Sequence, residues 1–186
     1  MYDTDPQSAD GKVLWHFAMS LDGYVAGPGH AMDWMNGFSN RPSLTDEYVA
    51  TTGAVLAGRD AFDSAIGDAR PYGDQWRGAL FVLTHHPEDA RPVGDITILS
   101  CPVEEAVAIA LEAAAGKNVE VFSADIGRQL LELGLIDEID LHIAPILLGD
   151  GIRLYDNPGA APIRLDRMCV PDPTAEVNVR YRPRRP

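Results

Sequence analysis

The sequence predicts an α/β domain with a mixed sheet and helices on both faces. Three observations carry this. Short apolar runs alternate along the chain with segments of helical period. The first run, residues 13–18, is apolar on both faces of an extended chain, as in a strand covered from both sides. The chain ends in two extended runs separated by Pro171-Asp172-Pro173, which read as a hairpin.

The elements follow in order. After the first strand comes a glycine-rich loop through Gly23, Gly27 and Gly29, then a short helix over residues 44–51. Ala54-Val55-Leu56-Ala57 is a second buried strand, closed by Gly58, and residues 60–66 form a short helix. Residues 70–78 are rich in turn formers and read as a loop. Residues 80–83 and 96–99 are two further short strands. The clearest helix covers residues 102–115. Pro102 suits its first turn, Glu104 and Glu105 favour its positive end, and Gly116 can close it. Residues 119–122 are the next strand. Ile126, Leu130 and Leu133 then recur at helical spacing, with Gly134 as the stop. Ile139, Leu141 and Ile143 alternate with Asp140 and His142, a strand of period two that puts His142 at a surface or an interface. Residues 163–170 and 175–182 are the closing pair. Residues 1–11 read as a disordered leader, 12–182 as one domain and 183–186 as a basic tail.

Composition narrows the function. The 186 residues are 46% hydrophobic and 23% charged, as in an ordinary globular protein. Lys plus Arg is 15 against 28 for Asp plus Glu, a net charge of −13, which repels nucleic acid and anionic lipid. Arg180, Arg182, Arg184 and Arg185 cluster at the end, where they read as solubilising charge. The longest stretch free of charged residues, 48–58, has 11 residues, against about 20 for a membrane-spanning helix. The first residues show no basic flank and no apolar core before Lys12, so a cytoplasmic location is expected. Cys101 and Cys169 stand 68 positions apart without metal-ligand spacing and read as two thiols.

The familiar phosphate and nucleophile motifs are missing: no Gly-x-Gly-x-x-Gly, no Walker loop, no Gly-x-Ser-x-Gly. His85 and His86 are adjacent, point opposite ways on an extended chain and suit a solvated loop rather than a metal. Four strand-to-loop junctions remain, and such junctions form the ligand crevice in doubly wound folds. They are Ser20-Leu21-Asp22-Gly23 with Met32-Asp33-Trp34 beyond it, Gly58-Arg59-Asp60-Ala61-Phe62, Thr84-His85-His86-Pro87, and Phe122-Ser123-Ala124-Asp125-Ile126-Gly127. The second and fourth open helices, whose first N–H groups suit phosphate, and Arg59 adds a positive charge. Each alone is equally a capped turn.

In this order the junctions resemble the dihydrofolate reductase superfamily, and most closely the reductase domain of riboflavin biosynthesis. The most specific stretch is Gly134-Leu135-Ile136-Asp137-Glu138, a strand, then Pro145-Ile146-Leu147-Leu148-Gly149 and Gly151. It is similar to that branch's Gly-Leu-Val-Asp-Glu, strand, Pro-Val-Leu-Leu-Gly-x-Gly. The resemblance covers residues 12–182. It implies a dihydrofolate reductase-like three-layer α/β fold with a mostly parallel central sheet and a C-terminal antiparallel hairpin. It implies a homodimer, and hydride transfer from NADPH to a pterin-like or aminopyrimidine-like heterocycle, the cofactor carrying the hydride. Carried over by residue, Gly58, Arg59, Asp60 and Ala61 would hold cofactor phosphate, and Thr84 and His85 would lie at the adenosine end. Ser123, Ala124, Asp125, Ile126 and Gly127 would wrap the pyrophosphate, and Ala18 and Val25 would line the nicotinamide. Asp22 and Trp34 would border the reacting ring. Asp46 and Asp33 are the candidate proton donors, and each is equally a solvated carboxylate.

Two departures fall on the cofactor side. Phe122-Ser123-Ala124 stands where the family keeps two or three glycines, and side chains limit how closely backbone approaches phosphate. Asp60 and Ala61 stand where a basic residue and Thr are common, and Asp60 repels a 2′-phosphate. The expectation is weakened NADPH binding, a tilt towards NADH, or another ligand. The zinc deaminase signature is absent, so the bifunctional riboflavin enzyme is excluded. Two rivals stay open: a non-catalytic small-molecule-binding protein on the same fold, and a structural protein whose cleft is filled by side chains.

Overall fold

A computed structural model describes residues 7–36, 42–63, 70–89, 95–167 and 177–184. Its centre is an eight-stranded sheet. In chain order the strands are β1 (Val13–Ser20), β3 (Thr52–Gly58), β4 (Ala79–Leu83), β5 (Ile96–Leu99), β6 (Asn118–Phe122), β7 (Glu138–Ala144), β9 (Leu165–Arg167) and β10 (Val177–Pro183). The spatial order is β5-β4-β3-β6-β1-β7-β10-β9. The first six run parallel, β10 runs antiparallel to β7, and β9 runs antiparallel to β10. This is the mixed, mostly parallel sheet with a closing antiparallel pair that the sequence predicts. The turn between β9 and β10, including Pro171-Asp172-Pro173 and Cys169, lies outside the described residues. A small second sheet pairs β2 (Tyr24–Ala26) with β8 (Ile152–Arg153). The sequence reading missed it, because three residues beside glycines carry no periodicity.

Two helices, α3 (Val103–Ala114) and α4 (Ala124–Glu132), cover one face of the sheet. Val107, Ala110, Ile126 and Leu130 pack there against Trp15, Leu56, Val121 and Leu141 in the larger core cluster. Helix α3 ends at Ala114, two residues before the expected glycine Gly116, with the cap residue Ala115 itself in the left-handed region. Helix α4 is capped by Ser123, whose hydroxyl accepts from the Ile126 N–H. The opposite face carries α1 (Pro42–Thr51), which buries Leu44 and Tyr48 one turn apart. Gly53 lets β3 pass under α3: a Cβ there would stand 2.4 Å from the Ala114 carbonyl oxygen. After β3 the short helix α2 spans Arg59–Ala61; of the longer helix expected over residues 60–66, residues 64–66 lie outside the described ones.

Residues 7–11 were expected to be disordered and are held in place. The Gln7 amide donates to Glu138, and Asn118 bonds the backbone of Ser8, Asp10 and Lys12. Residues 1–6 lie outside the described residues. Among the described residues no helix is long and apolar enough to cross a membrane.

Candidate active site

The parallel strands β1, β3, β4 and β6 end along one edge of the sheet, and their following loops form a continuous trough. At one end is an open groove of about 550 Å³ between the loops after β3, β4 and β6. Gly58, Arg59, Asp60, Ala61, Thr84, His85, Ser123, Asp125 and Ile126 all line it, so most of the expected cofactor residues meet there. The groove runs through a narrower section of about 140 Å³ beside Val25, Ala124 and Ala61. It ends in a pocket of about 200 Å³ bounded by Phe17, Ala18, Val25, Met32 and Phe122. Gly58 permits the close approach of two walls, since a Cβ there would sit 2.8 Å from the Ser123 hydroxyl. Gly127 does not line the trough. It packs on Trp15, whose indole N–H donates to the Ser123 carbonyl and so fixes the turn before α4.

The groove is acidic. Arg59 is committed to Asp63 at 2.6 Å and to the Asp89 carbonyl at 3.0 Å. Asp60, Asp63, Asp89 and Asp125 share the lining with it, alongside exposed His85 and His86. His86, Glu88 and Asp89 bring three possible metal-ligand atoms together, all of them exposed. Cys101 lines the same groove as a free thiol, and burial pushes it up from its ordinary value.

The four residues expected at the reacting ring are not brought to the pocket. Asp22 accepts from the Ser20 hydroxyl and from the Leu148 and Gly149 N–H groups, tying the end of β1 to the loop after β7. The Ser20 bond, ahead of the two amides, lowers its carboxyl to about 2. Asp33 is exposed on a 3-10 turn. Trp34 is half-buried on that turn, beside the pocket residues Met32 and Met35. Asp46 lies on the exposed side of α1, while the next two residues, Glu47 and Tyr48, turn inward.

What floors the pocket is a buried polar cluster that the sequence reading missed. His16, His142 and Tyr72 line it directly. His142, expected at a surface, is 4% exposed. Parallel pairing sets His16 beside Asp140 and Ala18 beside His142, and antiparallel pairing sets Asn178 beside His142 and Arg180 beside Asp140. All these side chains therefore share the sheet face beneath α1. The two imidazoles meet at 2.7 Å between Nε2 atoms, so one ring must donate to the other. His16 Nδ1 is 3.2 Å from Glu120 Oε2, and Glu120 also accepts from Tyr72 and Thr52 at 2.5 Å each. Tyr48 donates to Asp140 and stands 3.2 Å from His142 Nε2. Arg180, expected as solubilising charge in the tail, is 1% exposed and bridges Asp140 and Glu47 at 2.6 Å each.

Charges in this cluster shift one another. Burial alone lowers the basicity of His16, but the Glu120 carboxylate and its hydrogen bond, with Asp140 behind, raise it above 6.5. Burial would raise Asp140, yet Arg180 and the two histidines hold it at about 2. Burial and the neighbouring carboxylates keep Tyr48 and Tyr72 protonated well above 10. Tyr72 holds its hydroxyl over Glu120 from a left-handed backbone (φ 59°), a conformation costly for an aromatic residue and commonest where function requires it. A usable signal was present in the sequence: single polar residues at His16, Glu120, Asp140 and His142 interrupt strands otherwise built for a doubly covered sheet.

Comparison with known proteins fits this architecture. The family model described as RibD C-terminal domain matches residues 68–170. A putative riboflavin biosynthesis protein from Shewanella sp. PV-4 superposes with a TM-score of 0.69 at 20% identity, over 94% of this chain and 99% of that one. Dihydrofolate reductase from Enterococcus faecalis, complexed with NADP(H), superposes with a TM-score of 0.58 at 15% identity, over 94% and 97%. The uncharacterized protein YwjB of Bacillus subtilis (strain 168) is 24% identical over 148 residues, 77% of this chain and 82% of that protein.

Proposed function

This chain belongs to the RibD C-terminal domain family, and from that premise we propose that it is a reductase. It transfers hydride from a nicotinamide dinucleotide, NADPH or NADH, to a small pterin-like or aminopyrimidine-like heterocycle. The observation that carries the reading is the unbroken trough, a long polar groove leading into a small apolar pocket with a polar floor. That sequence of environments suits a dinucleotide whose ring end meets a second, flat ring. The Enterococcus faecalis neighbour, crystallised with NADP(H), supports the choice of cofactor class.

The residues fit such a ligand in part. Thr84 and His85 suit the adenosine end, and the first turn of α4 behind Ser123, Ala124, Asp125 and Ile126 suits the pyrophosphate. Ala18 and Val25 suit the nicotinamide, which when bound supplies the hydride. Phe17, Met32, Met35 and Phe122 exclude water from the reacting carbon. Arg59, the expected anchor of a 2′-phosphate, is shared with Asp63, and three further carboxylates stand in the groove. Those carboxylates accept from ribose hydroxyls and repel an added phosphate, which favours NADH.

The same acidity favours a second reading, a non-catalytic binder of a small heterocycle. Titration of tryptophan fluorescence with NADH and NADPH separates the two. Saturable quenching by either supports the reductase, and none at millimolar cofactor overturns it. Where the cofactor binds, Arg59→Ala should weaken NADPH more than NADH; equal losses overturn the placement of the 2′-phosphate.

A further inference from the structure

Within the reductase reading, on which this rests, we propose that His30 binds the diphosphate of the cofactor where it crosses the narrow section of the trough. A dinucleotide with its adenosine in the wide groove and its nicotinamide in the pocket must pass its diphosphate through that section. The first turn of α4 borders it with Ala124 and Asp125, whose N–H groups suit one side of the diphosphate. The carboxylates of Asp60 and Asp125 border it too, and they repel a doubly charged group. His30 is the one basic residue lining the section among the described residues. His85 and His86 lie in the wide groove, and Arg59 is held there by Asp63 and the Asp89 carbonyl. Asp125 is already bound by Arg128 and Gln129 at 2.7 Å each, so its charge is offset within α4. Asp60 is the acid that His30 faces.

The loop after β2 delivers the imidazole. The Gly27 N–H donates to the Ala31 carbonyl at 2.9 Å and the Ala31 N–H to the Pro28 carbonyl at 3.4 Å, which closes residues 27–31 into a tight turn. Gly29 and His30 are both left-handed, with φ 65° and 63°, a region in which histidine is enriched among side-chain-bearing residues. His30 Nε2 then stands 3.8 Å from Asp60 Oδ2, the two side chains meeting from the β2 loop and from α2. That is too long for a hydrogen bond, and neither ring nitrogen makes one among the described residues. The side chain is 41% exposed, so it can turn to a ligand without leaving a buried partner unpaired. With a dinucleotide in the trough, Nε2–H donates to a diphosphate oxygen, and a protonated ring makes that bond charge-assisted. The diphosphate is the part that NADH and NADPH share. His30 therefore strengthens both alike, whereas Arg59, in the same reading, acts on the 2′-phosphate alone.

The test compares the wild type with His30→Ala by calorimetric titration with NADH, NADPH and ADP-ribose, which carries the diphosphate without the nicotinamide. The variant should bind all three about 10-fold more weakly, by the same factor for each. Unchanged affinities overturn the proposal. So does a loss confined to NADH and NADPH, which would place His30 on the nicotinamide, or a loss unequal between those two, which would place it on the 2′-phosphate side. The wild type gives a second measurement that needs no variant. In protein labelled with 15N-histidine, saturating ADP-ribose should shift the His30 ring resonances and saturating adenosine should not. A His30 unmoved by ADP-ribose, or moved equally by adenosine, overturns the proposal even if the variant does not fold. If the wild type binds neither NADH nor NADPH, the reductase reading falls and the role of His30 with it. If it binds them and His30 is indifferent, only the role of His30 falls.

Discussion

Arg180 shows how much one buried side chain can hold. Its guanidinium joins Asp140 on β7 to Glu47 on α1 and lies over the Tyr48 ring. Truncation leaves two carboxylates buried without their partner. Arg180→Ala should cost about 3–5 kcal/mol, measured by urea denaturation, whereas Arg184→Ala, on an exposed pair with Asp166, should cost less than about 1 kcal/mol. Gly127 makes the opposite point, because its value is the missing Cβ. A methyl there would stand 2.0 Å from the Trp15 indole nitrogen, so Gly127→Ala should displace α4 from β1 and cost about 1–3 kcal/mol of thermal stability. Gly127 was expected on the pyrophosphate, and the turn signal that suggested it was real. A glycine beside a helix start looks the same in sequence whether a ligand or an indole approaches it. Asp46 and Glu47 show the limit more sharply. Adjacent acids on a helix differ by 100° in direction, and only the position of α1 over the sheet selects Glu47.

At the scale of elements, helix and strand positions were largely legible. Residues 96–99 form β5 as read, and α3 differs from its reading by one residue at each end. Apolar period and capping are local properties, so the chain displays them. Pairings between segments distant in sequence are less visible, and the β2–β8 ribbon is one of them. The clip at Asp22 is another. It holds the loop after β7 by two backbone N–H groups 126 and 127 residues away. Asp22→Ala should therefore speed hydrogen exchange at the Leu148 and Gly149 amides, leaving the α3 amides protected. Unchanged exchange at those two positions would refute the clip.

At the scale of the molecule, two titrations bound the pH range of stability. His16 is raised above 6.5 in the folded state, so its contribution is complete below pH 6.5 and is lost as pH rises through the folded value. Asp140 is lowered from 3.8 to about 2, so its contribution, on the order of 2 kcal/mol, is present above pH 3.8 and is lost as pH falls towards 2. Thermal unfolding across pH 2–9 should show highest stability between about 4 and 6.5. Glu120→Gln should flatten the alkaline limb, and an unchanged limb would contradict the pairing. By itself the sequence determined the alternation of elements, the mixed sheet and the junctions where ligands collect, because these follow from apolar period, turn residues and chain order. The tertiary structure alone decided which face of that sheet is polar. His16, Glu120, Asp140, His142 and Arg180 are scattered over 165 positions; the first four read locally as polar positions within strands and Arg180 as one of a terminal run of arginines. Strand order β6-β1-β7-β10 sets them side by side, and α1 and Tyr72 close over them. Burial then converts five ordinary surface-type groups into one coupled cluster, because their charges interact strongly only once water is removed.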